Sequence, residues 1–188
     1  IYNIDKHANT LGHFEAYIKK PIKKTELKLR LIDVKEFENL TIYRRDSNEL
    51  AREIKSDLVY IDPPYNSRQY SRFYHVYENL VKWEKPELVG TAMKPPTENM
   101  SKYCSAKAPE TFTDLIENLD AKYLAVSYNN TYNSKSKSSQ NKIQLEEIEE
   151  ALNKKGETKK FEKDYRFFNA GKTNLENHQE LLYITKVK

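Results

Sequence analysis

Glycine is scarce in this chain of 188 residues: there are four, Gly12, Gly90, Gly156 and Gly171, and no two stand close enough to form a phosphate or nucleoside loop of the G-x-G type. Cysteine is scarcer. The single Cys104 excludes an internal disulfide framework, and no thiolate-stabilising partner lies near it in "SKYCSAKAP", so it reads as structural. The four histidines, His7, His13, His75 and His178, show no metal-ligand spacing with Cys104 or with one another, and no metal site is expected. No charged-then-apolar leader and no long apolar run announces secretion or a membrane span, which points to a cytoplasmic protein. The first residue is Ile1, which suggests that something upstream is missing.

What is present bounds the class. The length suits one domain with its own core. Charged residues reach 32%, but 14 tyrosines and 7 phenylalanines keep the chain out of the disordered class. Lys and Arg outnumber Asp and Glu by 32 to 28, a balance that permits a polyanionic partner without demanding one.

Hydrophobic periodicity supplies the order of elements. "LTIYRR" (40–45) alternates and is rich in strand formers, and Asp46-Ser47-Asn48 behind it is a helix N-cap cluster leading into "ELAREI". "DLVYID" (57–62) is the near-continuous apolar run of a parallel strand covered on both faces. "YHVYENLVKW" spaces Val76, Leu80 and Trp83 at helical intervals, and the same spacing makes core packing the reading for Tyr70, Tyr74 and Tyr77. Phe112, Leu115, Ile116 and Leu119 form one helical stripe, followed at once by the strand "KYLAVSY" (122–128). This alternation predicts a parallel α/β sheet.

The stretch 84–110 holds four of the seven prolines and no convincing period, and reads as a long loop or mobile insertion. "NNTYNSKSKSSQNK" (129–142) is a polar loop. Leu145, Ile148, Ala151 and Leu152 share one face of a helix that Gly156 closes, and "KKFEKDYRFF" and "QELLYITKVK", joined by "NAGKTNLENH", predict an antiparallel pair at a sheet edge.

One stretch carries chemistry. In an open α/β sheet ligands bind beyond the carboxyl ends of the strands, and "DLVYIDPPYNSRQY" puts Asp62-Pro63-Pro64-Tyr65 there. The prolines fix φ and remove two N–H donors, leaving carbonyl acceptors on a rigid turn. An acid beside such a turn can receive both hydrogens of a planar amine: Asp62 takes one and the Pro63 carbonyl the other, which draws the nitrogen lone pair out of conjugation. Pro64 stiffens the turn, and Tyr65 is free to stack on the ring that bears the amine.

"DPPY" after an apolar strand resembles the signature of amino-methyltransferases that use S-adenosylmethionine, above all the adenine-N6 DNA methyltransferases. The longer "VYIDPPYNSRQY…YH" resembles their Dam-like group, class α, which accompanies bacterial restriction systems. "ANTLGHFEAYIKK" resembles the segment before that group's third cofactor strand, "IYRRDSNEL" its acidic strand end, and "KYLAVSYNN" the strand and loop after the catalytic one.

The resemblance implies a Rossmann-like methyltransferase fold, incomplete at its N-terminal side, with a mostly parallel sheet and a C-terminal antiparallel hairpin. Residues 1–39 would end a target-recognition insert and 40–188 form the catalytic core. It implies a catalytic group of Asp62, Pro63, Pro64 and Tyr65 around an adenine flipped from the duplex. Asp46, Ser47 and Asp62 would meet S-adenosylmethionine, and Asn66, Arg68, Ser127, Asn129 and Lys135 would meet DNA. Taken alone, Asp46 reads as a helix N-cap, Tyr128 as filler of the crevice floor, and Lys135 and Lys137 as loop charges equally suited to solubility and to phosphate contact.

The chain departs from the family pattern in one respect. The F-x-G-x-G loop that holds the methionine part of the cofactor is absent, as is the acidic end of the second strand. The chain therefore reads as a carboxyl-terminal portion, expected to bind cofactor poorly and to be inactive alone. Its expected partners are double-stranded DNA, a cognate restriction endonuclease, and an N-terminal fragment or subunit carrying the missing loop. Two other functions stay open: N-methylation of an RNA base or a protein glutamine, since the turn recognises a planar amine, and a non-catalytic DNA-binding subunit that keeps the fold without the cofactor loop.

Overall fold

The computed structural model describes residues 39–89, 95–96, 100–132, 137–165 and 177–188. Two compact units divide the chain, Ile1–Arg44 with Tyr70–Asn99, and Arg45–Gln69 with Met100–Lys188.

The first unit's described helices are short. Tyr70–Phe73 forms α2 and His75–Lys82 forms α3, which ends where Trp83 turns left-handed at φ 57°. Tyr70 and Tyr74 sit with rings 6.0 Å apart and are 52% and 37% exposed, so the core packing expected of them is not found. Their helices are too short to bury a full stripe. The side chains of Val76, Tyr77 and Leu80 lie outside the described residues, and Trp83, 73% exposed, is the helix cap and not part of an apolar stripe.

The second unit is built around a four-stranded sheet. Its strands are β1 (Lys55–Ile61), β2 (Asp120–Asn129), β3 (Gly156–Asp164) and β4 (Gln179–Val187), in the order β1-β2-β4-β3. Helix α1 (Ser47–Leu50) precedes β1, α4 (Ala108–Asn118) runs into β2, and α5 (Leu145–Lys155) runs into β3. Pro109 opens α4, where its missing N–H costs nothing, and the expected stripe of Phe112, Leu115, Ile116 and Leu119 is buried. The carboxylate of Glu147 reaches back to the backbone N–H of Gln144 at 2.7 Å to start α5, with Glu146 and Glu147 in its first turn and Lys154 and Lys155 in its last. These two helices pack on the sheet face formed by Leu124, Val126, Tyr128, Leu181 and Tyr183. Each large apolar side chain buried there contributes roughly 1.5–3 kcal/mol relative to exposure. Among the described residues no helix is long and apolar enough to cross a membrane.

Three expectations need correction. No strand forms at 40–45: the segment pairs with no strand among the described residues, with Leu40 67% and Ile42 83% exposed, because alternating strand formers make a strand only beside a neighbour. The sheet is mixed and not mostly parallel. Only β1 and β2 run parallel, whereas β2 with β4 and β4 with β3 run antiparallel, since β4 enters between β2 and its own hairpin partner. And β1 is not covered on both faces: Leu58 and Tyr60 are 56% and 63% exposed, on the side away from α4 and α5.

The stretch 84–110 is also less irregular than its prolines suggest. A 3-10 turn at Lys102–Cys104 buries Tyr103 and Cys104, and α4 has begun by Ala108. Gly156 does end α5, but by joining it directly to β3 in extended backbone. Its lack of a side chain is required by a close approach, because a Cβ there would stand 2.0 Å from the Lys186 carbonyl oxygen.

Candidate active site

The parallel register sets Ile61 beside Val126, so the turn after β1 lies against the carboxyl end of β2. Strand alternation does the rest. Val126 and Tyr128 point to the helices, and Ser127 comes to the same side as Asp62. Ser127 Oγ donates to Asp62 Oδ1 at 3.0 Å, and Tyr65 Oη donates to the same oxygen at 3.0 Å. Among the described residues no donor reaches Asp62 Oδ2 or the Pro63 carbonyl.

The turn is fixed from beneath. Pro63 is buried, and the Tyr65 carbonyl accepts from the Lys142 N–H at 2.8 Å and the Tyr128 hydroxyl at 3.2 Å. Tyr128 Oη in turn accepts from the Ile143 N–H at 3.2 Å. The rings of Tyr65 and Tyr128 meet edge to face with centroids 4.8 Å apart. Tyr128 therefore does fill the crevice floor, and burial pushes its hydroxyl up to about 12. Burial also raises the Tyr65 hydroxyl, with a hydrogen bond to Ser127 opposing it and the charge of Asp62 adding to it. Both phenols stay protonated at neutral pH and act as donors.

On the other flank of Asp62 a cavity of about 300 Å³ opens between α1, the end of β1 and α4. Its walls are mainly apolar, including Leu50, Ala51, Ile54, Val59, Ile61, Leu115 and Leu119, with Ser47, Tyr60, Asp62, Ser101 and Tyr103 as polar groups. A flat heterocycle with a few polar edges fits such a lining. Ser47 and Asp62 both line this cavity. Asp46 caps α1, its Oδ1 accepting from Asn48 N at 2.9 Å and Glu49 N at 3.2 Å.

The residues expected to meet DNA are scattered. Asn66 Oδ1 accepts from the Arg68 N–H at 3.0 Å, closing an Asx turn that leaves the Arg68 side chain exposed. Asn129 is buried, and its Oδ1 accepts from Asn141 Nδ2 at 3.0 Å and Thr131 N at 3.2 Å. Lys135 lies outside the described residues, and Lys137 is exposed.

Local reading missed three features. Asn48 ties α1 to α4: its Nδ2 donates to the Thr111 carbonyl at 2.8 Å and Asp114 Oδ2 at 2.7 Å, and its Oδ1 accepts from Tyr103 Oη at 3.0 Å. Tyr60 donates to Ser127 Oγ at 3.0 Å. Glu180 on β4 pairs across the sheet with Asn129, and its carboxyl is raised by burial, an effect that His178 and a hydrogen bond from Asn129 oppose and the charge of Asp62 reinforces. Only the helix-pair packing and the strand register bring these groups in, and neither leaves a local signal.

Residues 1–130 match the family model of the D12 class N6 adenine-specific DNA methyltransferase. The chain belongs to this family. Among curated members, the type II methyltransferase M.FokI of Planomicrobium okeanokoites is 35% identical over 190 residues, covering 95% of this chain and 28% of the relative. The modification methylase StsI of Streptococcus sanguinis is 39% identical over 128 residues, 65% of this chain and 20% of the relative. The type II methyltransferase M.NlaIII of Neisseria lactamica is 31% identical over 181 residues, 93% of this chain and 51% of the relative. The chain thus spans about half, or less, of the length of these family members. No solved structure matches it.

Proposed function

We propose that this chain forms the methyl-accepting side of a site that methylates N6 of an adenine flipped out of double-stranded DNA, within a bacterial restriction-modification system. The observation that carries the reading is the state of the Asp62 turn. One carboxylate oxygen is held by two donors, while the other oxygen and the Pro63 carbonyl have no donor among the described residues. Those two acceptors suit the two hydrogens of one exocyclic amine. Accepting both favours a pyramidal nitrogen whose lone pair has left the ring, which is the nucleophile that adenine by itself hardly offers. Asp62 serves as an acceptor and not as a strong base, since an aromatic amine is a very weak acid until it is methylated. Pro63 and Pro64 hold the turn, and Tyr65 borders the place where the base would lie.

When bound, S-adenosylmethionine supplies an electrophilic methyl group on a sulfonium. Ser47 and the apolar walls from Leu50, Val59 and Ile61 would hold its adenosine part, with Asp46 shaping that end of the cavity as the cap of α1. No residue here takes the role of an F-x-G-x-G loop, so the methionine part needs a segment outside this chain, and the chain alone should bind cofactor poorly. On this reading residues 40–188 belong to a Rossmann-like catalytic core and 1–39 end the target-recognition region, while Asn66, Arg68, Ser127, Asn129 and Lys135 lie on the DNA side. A cognate endonuclease is the expected companion.

The test is mass spectrometry of nucleosides from cells expressing the full-length protein. N6-methyladenine should appear in their DNA and disappear with Asp62→Ala, a loss of roughly a hundredfold or more. Methylated RNA bases or glutamine in its place would transfer the chemistry to another substrate, and no methylated product at all would leave a non-catalytic subunit.

A further inference from the structure

The hydroxyls around Asp62 form a directed chain. Tyr60 lies two residues before Asp62 on the same side of β1, the side away from α4 and α5, and its ring is 63% exposed, so it takes no part in the core. In the parallel register Tyr60 is paired with Ala125, and Ser127 is the next residue along β2 on that side, within reach of a long aromatic side chain. Each hydroxyl has one hydrogen to give. Ser127 Oγ has acceptors nearby in the Ile61 carbonyl at 3.5 Å, Asp62 Oδ1 at 3.0 Å and the Tyr65 hydroxyl, and the ionised carboxylate is the strongest of them. Tyr60 Oη, 3.0 Å from Ser127 Oγ, then donates to Ser127 and leaves the serine hydrogen pointing at Asp62. Such a series polarises each bond in turn. Tyr65 donates to the same Oδ1 from the turn itself, so two donors on separate elements fix the plane of a carboxylate that would otherwise rotate at the exposed end of a strand.

We propose that Tyr60 and Ser127 are positioning residues for Asp62: they hold Oδ1 so that Oδ2 stands ready, beside the Pro63 carbonyl, for the target amine. The inference rests on the function proposed above. It adds Tyr60, which no motif marks, and gives Ser127 work toward Asp62 in addition to any contact with DNA. The positioning shapes the reacting geometry, and although Tyr60 also lines the cavity, Tyr60→Phe keeps its ring there, so the loss appears mainly in kcat.

Steady-state kinetics of the full-length protein on unmethylated plasmid DNA test this. Ser127→Ala should lower kcat roughly tenfold to a hundredfold, a larger effect than on either KM. Ser127→Thr, which keeps the hydroxyl, should recover most of the loss. Tyr60→Phe should lower kcat by about threefold to tenfold, and because its exposed ring is retained the fold is not at risk. The deciding measurement is the double variant. Since Tyr60 acts through Ser127, Tyr60→Phe should cost nothing more once Ser127 is alanine.

Unchanged kcat in both single variants, or losses that multiply in the double variant, overturn the positioning chain while Asp62→Ala remains inactive. Activity that survives Asp62→Ala, or an unaltered protein that forms no N6-methyladenine, overturns the functional reading first and this inference with it.

Discussion

On the β2 side of Asp62 polar groups answer one another, whereas on the α1 side apolar walls enclose a cavity. Ser127, Tyr65 and Tyr128 link the turn to β2 and to the segment before α5 through bonds of 2.8 to 3.2 Å. The α1 side has few polar groups facing the cavity, and its wall is held from behind by Asn48. The difference fits the roles proposed for the two sides. A turn that presents acceptors to an amine has to be stiff, and short directional bonds supply stiffness. A cavity that takes a flat ring gains most from apolar area, which needs no direction.

The comparison can be broken most forcefully at Asn48. It is buried and serves Thr111, Asp114 and Tyr103 as well as its neighbour Ser47, while Asp114 is further paired with Arg52. Hydrogen bonds from Asn48 and then Arg52 hold the Asp114 carboxyl below its ordinary range, so that network is formed with Asp114 ionised. Asn48→Ala removes the amide donor to Asp114 Oδ2 and leaves the Thr111 carbonyl and the Tyr103 hydroxyl with their longer mutual bond of 3.4 Å, and should cost about 1–3 kcal/mol in urea unfolding. Amide exchange should rise in α1 and at the start of α4, with the Asp62 turn little affected. Equal loosening on both sides of Asp62 would show that the two walls are one cooperative unit.

A smaller loss is expected on the stiff side. Tyr128→Phe keeps the ring against Tyr65 but removes the acceptor for the Ile143 N–H and the donor to the Tyr65 carbonyl, which retains its bond from Lys142. One buried N–H left without a partner costs about 1–2 kcal/mol. The thermal midpoint should fall by a few degrees, and amide exchange at Lys142 and Ile143 should speed up while α1 stays protected. Unchanged exchange there would mean that Lys142 alone fixes the turn.

The same contrast explains how much of the molecule was legible in its sequence. Helices and strands whose period is local were readable: the stripe from Phe112 to Leu119, the strand through Val126, the helix from Leu145, and the closing hairpin all form. What failed depended on a neighbour. "LTIYRR" has strand composition but pairs with no strand among the described residues, and "DLVYID" has a buried strand's composition with one side of Leu58 and Tyr60 open. At the proposed site, Asp62 to Tyr65 could be read because four adjacent residues form one motif, and Ser127 because it lies near the end of the next strand. Tyr60 and Asn48 bond across elements, and their partners cannot be read from spacing along one segment.

Glu180 gives the finest test, because it lies on the polar side of Asp62, paired with the end of β2. It pairs with Asn129 across the sheet, and burial raises its carboxyl, with His178 and Asn129 working against the shift and Asp62 adding to it. A carboxyl raised in the folded state binds its proton more tightly there than in the unfolded chain. Its contribution is therefore fully present below the ordinary glutamate range and is lost as pH rises through the raised value. Glu180→Gln removes that loss, so at neutral pH the variant should melt slightly higher than the unaltered protein, by under about 1 kcal/mol because much of the carboxyl remains in water. Below pH ~4 the two melting curves should converge, since both side chains are then uncharged. A neutral-pH destabilisation by Glu180→Gln would mean that the ionised form is held favourably by Asn129 and His178, and that burial is the weaker influence at this edge of the site.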